Sequence, residues 1–71
     1  MDVNSLKINK LKLNIAMSNA GLNFTTLAVA SGISRTTLSC INNGKTCRLG
    51  VAGKIASALQ IPLEYLVEKD G

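Results

Sequence analysis

The sequence contains no histidine and no tryptophan, a single proline and only two aromatic residues, Phe24 and Tyr65. Without histidine the chain lacks the commonest general base and metal ligand at neutral pH. Its four acids, Asp2, Glu64, Glu68 and Asp70, all lie near the ends. No nucleophile–base pair can be assembled from such a set and no phosphate loop is present, so no enzyme, cofactor or metal is expected. No apolar run exceeds four residues, far short of the ~20 that a membrane span needs, and no charged segment precedes an apolar stretch in the manner of a signal peptide. Cys40 and Cys47 belong to no paired motif, which points to a reduced, cytoplasmic protein.

Negative charge is scarcest in the middle. From Val3 to Leu63 there is no acid, while Lys7, Lys10, Lys12, Arg35, Lys45, Arg48 and Lys54 are all present. The formal net charge of +4 therefore understates the asymmetry. Seven cations without an anion project a positive field that attracts polyanions. Solubility alone does not require the two signs to be segregated.

What the chain does have is aliphatic bulk: 46% of its residues are hydrophobic against 17% charged, which excludes a disordered tail. Seventy-one residues allow one domain, residues 1–71, which buries only about 60% of its unfolded surface. Asn19-Ala20-Gly21, Ser31-Gly32, Asn42-Asn43-Gly44 and Ile61-Pro62 cut it into five segments of helical spacing, with no sheet expected. The first helix is expected from Leu6 to Ala20, with Leu6, Leu13, Met17 and Ala20 on one face. Asn23 and Ser34 are N-cap candidates for the second and third helices. Leu27 and Ala28, then Leu38 and Ile41, supply their inward faces. Val51, Ala52, Ile55, Ala56 and Leu59 form the stripe of the fourth helix, and Leu63, Leu66 and Val67 that of a short fifth.

Two short helices joined by Ser31-Gly32-Ile33-Ser34 have helix-turn-helix spacing over about residues 24–42. On the third helix, Leu38 and Ile41 point one way, while Arg35, Thr36, Ser39, Cys40 and Asn43 point the other. Small polar side chains on that outward face can enter a major groove without bulk. There Arg35 can donate to a guanine edge, and Thr36 can offer both a hydroxyl and a methyl. Asn23 caps the second helix, whose first amides can meet a phosphate, and Thr37 at the edge of the face can reach a phosphate or brace the turn.

Leu27-Ala28, Gly32-Ile33-Ser34, Thr37-Leu38-Ser39 and Ile41-Asn42-Asn43-Gly44-Lys45, followed by Ile55-Ala56-Ser57-Ala58-Leu59, Ile61-Pro62-Leu63 and Tyr65-Leu66, resemble the phage Cro/repressor-type (XRE-like) helix-turn-helix family over about residues 11–67. That resemblance implies an all-α, compact five-helix bundle of the lambda-repressor-like kind that binds double-stranded operator DNA as a homodimer. It implies base reading by the residues matching Arg35, Thr36 and Cys40, and a grip on the sugar-phosphate backbone by Asn43, Lys45, Thr46 and Arg48. A repressor acting on the nucleoid by operator occupancy follows, of phage or mobile-element type, with no membrane and no small-molecule ligand as partner.

The sequence departs from the family at three places. Phe24 stands where a glutamine is usual, and is expected to pack or rest on DNA sugars. Met17 and Asn42 stand where the family often has an Arg–Glu pair. Cys40 is unusual on a reading face. Ile8, Leu11 and Ile15 form a second apolar stripe on the first helix, so either the N-terminal segment folds back on the core or this face meets a partner. Leu63, Tyr65 and Leu66 are the other partner-surface candidates. The alternative function is an antitoxin or adaptor-type helix-turn-helix protein whose main partner is another protein. A membrane-active basic helix at Lys7, Lys10 and Lys12 is a more distant one.

Overall fold

The turns and caps written into the sequence set the element order. The computed structural model describes residues 5–68. In order they form β1 (Ser5–Leu6), α1 (Lys10–Ala20), α2 (Phe24–Ser31), α3 (Arg35–Asn42), β2 (Cys47–Arg48), α4 (Leu49–Leu59) and α5 (Leu63–Leu66). The result is an all-α fold of five helices with one small addition, an antiparallel ladder pairing Ser5 with Arg48 and Leu6 with Cys47. That ladder corrects the expectation of no sheet. Two residues a side leave no period to read in either strand, and their partners lie some forty positions apart.

Three helices start on side-chain caps. Asn9 Oδ1 accepts from the Lys12 amide at 2.9 Å, so α1 begins at Lys10 rather than at the expected Leu6. At α2 the Thr26 amide donates to Asn23 Oδ1 at 2.9 Å and the Asn23 amide donates to Thr26 Oγ1 at 2.8 Å. This reciprocal cap satisfies two otherwise orphaned donors. At α3 Ser34 Oγ accepts from the Thr37 amide at 3.1 Å. Gly32 ends α2 at φ 73°, a left-handed conformation that costs glycine little. Gln60 ends α4 at φ 58°, where any side chain is under strain.

The core is aliphatic, as the shortage of aromatics requires. Leu13, Leu27, Leu38, Ile41, Ile55 and Leu66 are fully or almost fully buried, each worth roughly 1.5–3 kcal/mol against exposure. Helix α2 packs on both α3 and α4, and α4 on α5. Ile33, in the turn between α2 and α3, closes the angle between the two helices and is buried. Ser31, also buried, donates from Oγ to the Leu27 carbonyl at 2.7 Å and accepts from the Ile33 amide at 3.2 Å, so its hydroxyl ties the turn to the helix before it. Ala20, placed by spacing beside Leu13, is exposed at the end of α1.

The N-terminal segment folds back on the core. Ile8 forms a bridge with Val67, the Asn9 amide donates to the Leu66 carbonyl at 2.7 Å, and the Glu68 amide donates to the Lys7 carbonyl at 2.8 Å. Two candidates for a partner surface are thereby corrected. Ile8 is 2% exposed and Leu66 0%, because each fills the space between the N-terminal segment and α5. Val67, expected within the fifth helix, is extended and lies just beyond it.

Candidate nucleic-acid interface

Helix α3 is amphipathic and its two faces have separate fates. Leu38 and Ile41 are buried against the bundle. Arg35, Thr36, Thr37 and Ser39 are exposed, and Cys40 is half-buried. The helix stands as a ridge between two shallow grooves. One, of about 420 Å³, is lined by Phe24, Arg35, Thr36, Ser39 and Cys40. The four base-reading candidates therefore share one groove, with Phe24 as its far wall. Phe24 is half-buried and packs against the core, so it supplies a fixed apolar wall where the family's usual glutamine would supply a donor.

The other groove, of about 410 Å³, lies between α3 and the α3–β2 connection. Thr37, Lys45, Thr46 and Arg48 line it, and Thr36 and Cys40 border it as well as the first. The structure thus brings four of the six phosphate candidates to one side of the ridge. Asn23 and Asn43 lie outside both grooves. Asn23 caps α2. Asn43 ends α3, its amide donating back to the Ser39 and Cys40 carbonyls at 3.1 Å each. Thr37 is tied into the cap of its own helix, since Ser34 Oγ donates to Thr37 Oγ1 at 2.8 Å. That bond supports the bracing role.

Cys47 faces the second groove from β2, and burial pushes its thiol pKa up because the thiolate is the form that loses hydration. Both cysteines are free.

Asn42 was matched in the sequence with Met17. The structure pairs it instead with Asn14, whose Nδ2 donates to Asn42 Oδ1 at 3.0 Å and to the Lys10 carbonyl at 2.7 Å. Met17 lies in the core. A neutral amide–amide hydrogen bond therefore links the first helix to the end of α3. No local signal shows a contact that spans twenty-eight positions.

Three of the four remaining partner-surface candidates stay outside the core, and the fourth, Leu63, packs against its edge. Leu11 is 69% exposed, Ile15 41% and Tyr65 40%, while Leu63 is half-buried. Lys12 Nζ lies 5.4 Å from the Tyr65 ring centroid, which joins α1 to α5 by a cation–π contact. Val29 and Leu49, exposed apolar residues, were not anticipated, because isolated side chains of this kind leave no pattern.

The family model for the Cro/C1-type HTH DNA-binding domain matches residues 12–68, and the chain belongs to that family. It is a DNA-binding transcription regulator. No curated protein and no solved structure gave a match. Among the described residues no helix is long and apolar enough to cross a membrane.

Proposed function

We propose that this chain is a sequence-specific repressor that occupies its operator as a homodimer, with residues 34–42 in the major groove. The observation that carries this reading is the outward face of α3, which stands clear of the bundle while Leu38 and Ile41 hold the helix to it. Arg35, Thr36, Ser39 and Cys40 read base edges. Arg35 at the first turn donates to guanine or to a flanking phosphate, and the Thr36 methyl meets a thymine methyl.

Lys45, Thr46 and Arg48 hold the backbone beside the second groove, which Thr37 also lines, and Asn43, outside that groove, meets the backbone from the end of α3. Asn23 has committed Oδ1 to the cap of α2, which leaves its side-chain NH2 for a phosphate at the other flank. Such contacts position the helix without carrying sequence information. The whole of 1–71 acts as one domain in this reading.

Two copies join through apolar surface left outside the core. Leu11, Ile15 and Tyr65 supply it, with Leu63 at its margin. An open groove of about 580 Å³ runs past Tyr65, Pro62, Ile61, Leu22 and Ala30, and no residue of α3 lines it. Half-sites one helical turn apart, about 34–36 Å, follow from such a pairing.

Selection of bound sites from a random duplex pool tests the proposal. A two-fold symmetric consensus is the expected result. Retention no tighter on any duplex than on heparin rejects it.

A further inference from the structure

We infer that Lys7 and Lys10 form an additional phosphate-binding edge for the same duplex that α3 enters, on the footing of the function proposed above. Both residues lie outside the span matched by the family model, which begins at residue 12. In the sequence they are 33 or more positions from the Asn43–Gly44 turn, and only the tertiary structure brings them to it. Lys7, Lys10, Asn43 and Gly44 line a recess of about 250 Å³, with Glu68 on its rim.

Lys7 is no free tail. The ladder at Ser5 and Leu6 holds the chain before it. The Ile8–Val67 bridge holds the chain after it, and its own carbonyl accepts from the Glu68 amide. Its stem lies along the turn that ends the reading helix: a Cβ placed on Gly44, at φ 102°, would stand 3.8 Å from Lys7 Cε. Lys45 is the next residue, so the Lys7 ammonium continues the cationic edge that Lys45 and Arg48 begin. Lys10 opens α1 on the same recess, beside the Asn14–Asn42 hydrogen bond. Lys12 is committed elsewhere, over the Tyr65 ring.

The occupant that fits is a phosphodiester. Both lysines are exposed, so a strongly hydrated ammonium loses little water in meeting a phosphate oxygen. Their main chain is already ordered, so only side-chain entropy opposes the contact. A duplex seated on α3 passes its backbone along the Asn43–Lys45 turn, where this edge lies. Glu68 opposes the same phosphate by its charge.

Salt-dependent binding of the full chain, measured on a short fluorescent duplex carrying the selected site and on a random duplex of equal length, provides the test. The double variant Lys7→Gln/Lys10→Gln is expected to flatten the plot of log affinity against log salt by about 1.8 for each bound copy, or about 3.6 for the homodimer, on both duplexes. At 0.15 M salt that slope amounts to roughly thirtyfold weaker binding for each copy bound. Lys7→Arg/Lys10→Arg keeps the wild-type slope. Lys12→Gln leaves it unchanged, and Glu68→Gln tightens binding. The thermal midpoints of the Lys7/Lys10 and Glu68 variants stay at that of the wild type. A double glutamine variant with wild-type slope, alongside a Lys45→Ala variant whose slope is flatter, overturns this edge and leaves the reading of α3 standing. A wild-type chain with no salt-dependent hold on any duplex overturns both.

Discussion

The helix-turn-helix and the frame that carries it are built by different rules. Between Asn23 and Asn43 each local signal agrees with the next. Two capping side chains, a glycine at the left-handed position and an apolar period of three to four residues all specify the same two helices. Agreement of this kind makes a segment foldable and legible. The frame, residues 5–22 and 44–68, is joined instead by contacts between its distant ends: Ile8 to Val67, Asn9 to Leu66, Leu6 to Cys47. It also holds Gln60 at a positive φ. The helix-turn-helix unit is specified locally, and its support is specified by the two ends of the described segment meeting.

The largest test of that contrast is in the core. Leu38→Ala in the helix-turn-helix and Ile8→Ala in the frame are each expected to cost about 2–5 kcal/mol in chemical denaturation, enough to bring a domain this small near its unfolding limit. If Ile8→Ala cost less than about 1 kcal/mol, the N-terminal segment would be an appendage rather than part of the fold.

Function divides differently. Arg35→Ala is expected to lose about 1–3 kcal/mol of discrimination at one or two base positions, whereas Lys45→Ala weakens all sequences alike; both keep the wild-type melting temperature. An unchanged selected consensus with Arg35→Ala would remove α3 as the reading element.

Smaller effects of opposite sign sharpen the comparison at two of the three left-handed helix ends, Gly32 and Gln60. Gly32→Ala strains a backbone that suits glycine and is expected to destabilise by about 1 kcal/mol, while Gln60→Gly relieves the strain in the frame and stabilises by up to about 1 kcal/mol. Thermal melts of the pair decide whether local strain is confined to the frame. Asn23→Ala removes one half of a reciprocal cap, at about 1 kcal/mol.

The smallest effect concerns Cys47. Its thiol pKa is raised in the folded state by burial, so the unfolded chain releases that proton first. Stability is full below the ordinary thiol pKa and falls as pH rises from there through the raised value. Alkylation of Cys47 at mildly alkaline pH is expected to run more slowly in the folded protein than in denaturant; equal rates would remove the effect of burial.

Much of the candidate interface was legible because it lies on one short helix. At 100° per residue, Leu38 and Ile41 inward already place Arg35, Thr36 and Ser39 outward, and the structure agrees. The apolar stripe of the first helix misleads only at Ile8, since Leu11 and Ile15 stay exposed. Ile8 lies before Asn9, which caps the helix, so a helical period does not apply to it. Leu66 reads as surface in the sequence because a four-residue helix shows too little pattern to distinguish its buried side. Phe24 was left between packing and DNA contact; its half-buried ring lines the groove beside Arg35.

Period, caps and charge, all local or additive quantities, determine five helices, an aliphatic core and a surface made for a polyanion. The tertiary structure alone decided that residues 7–9 pair with residues 66–68, that Asn14 rather than Met17 meets Asn42, and that Lys7 lies on the turn closing α3. Those contacts join residues twenty to sixty positions apart, and their free energy exists only once the chain has folded around Ile8 and Leu66.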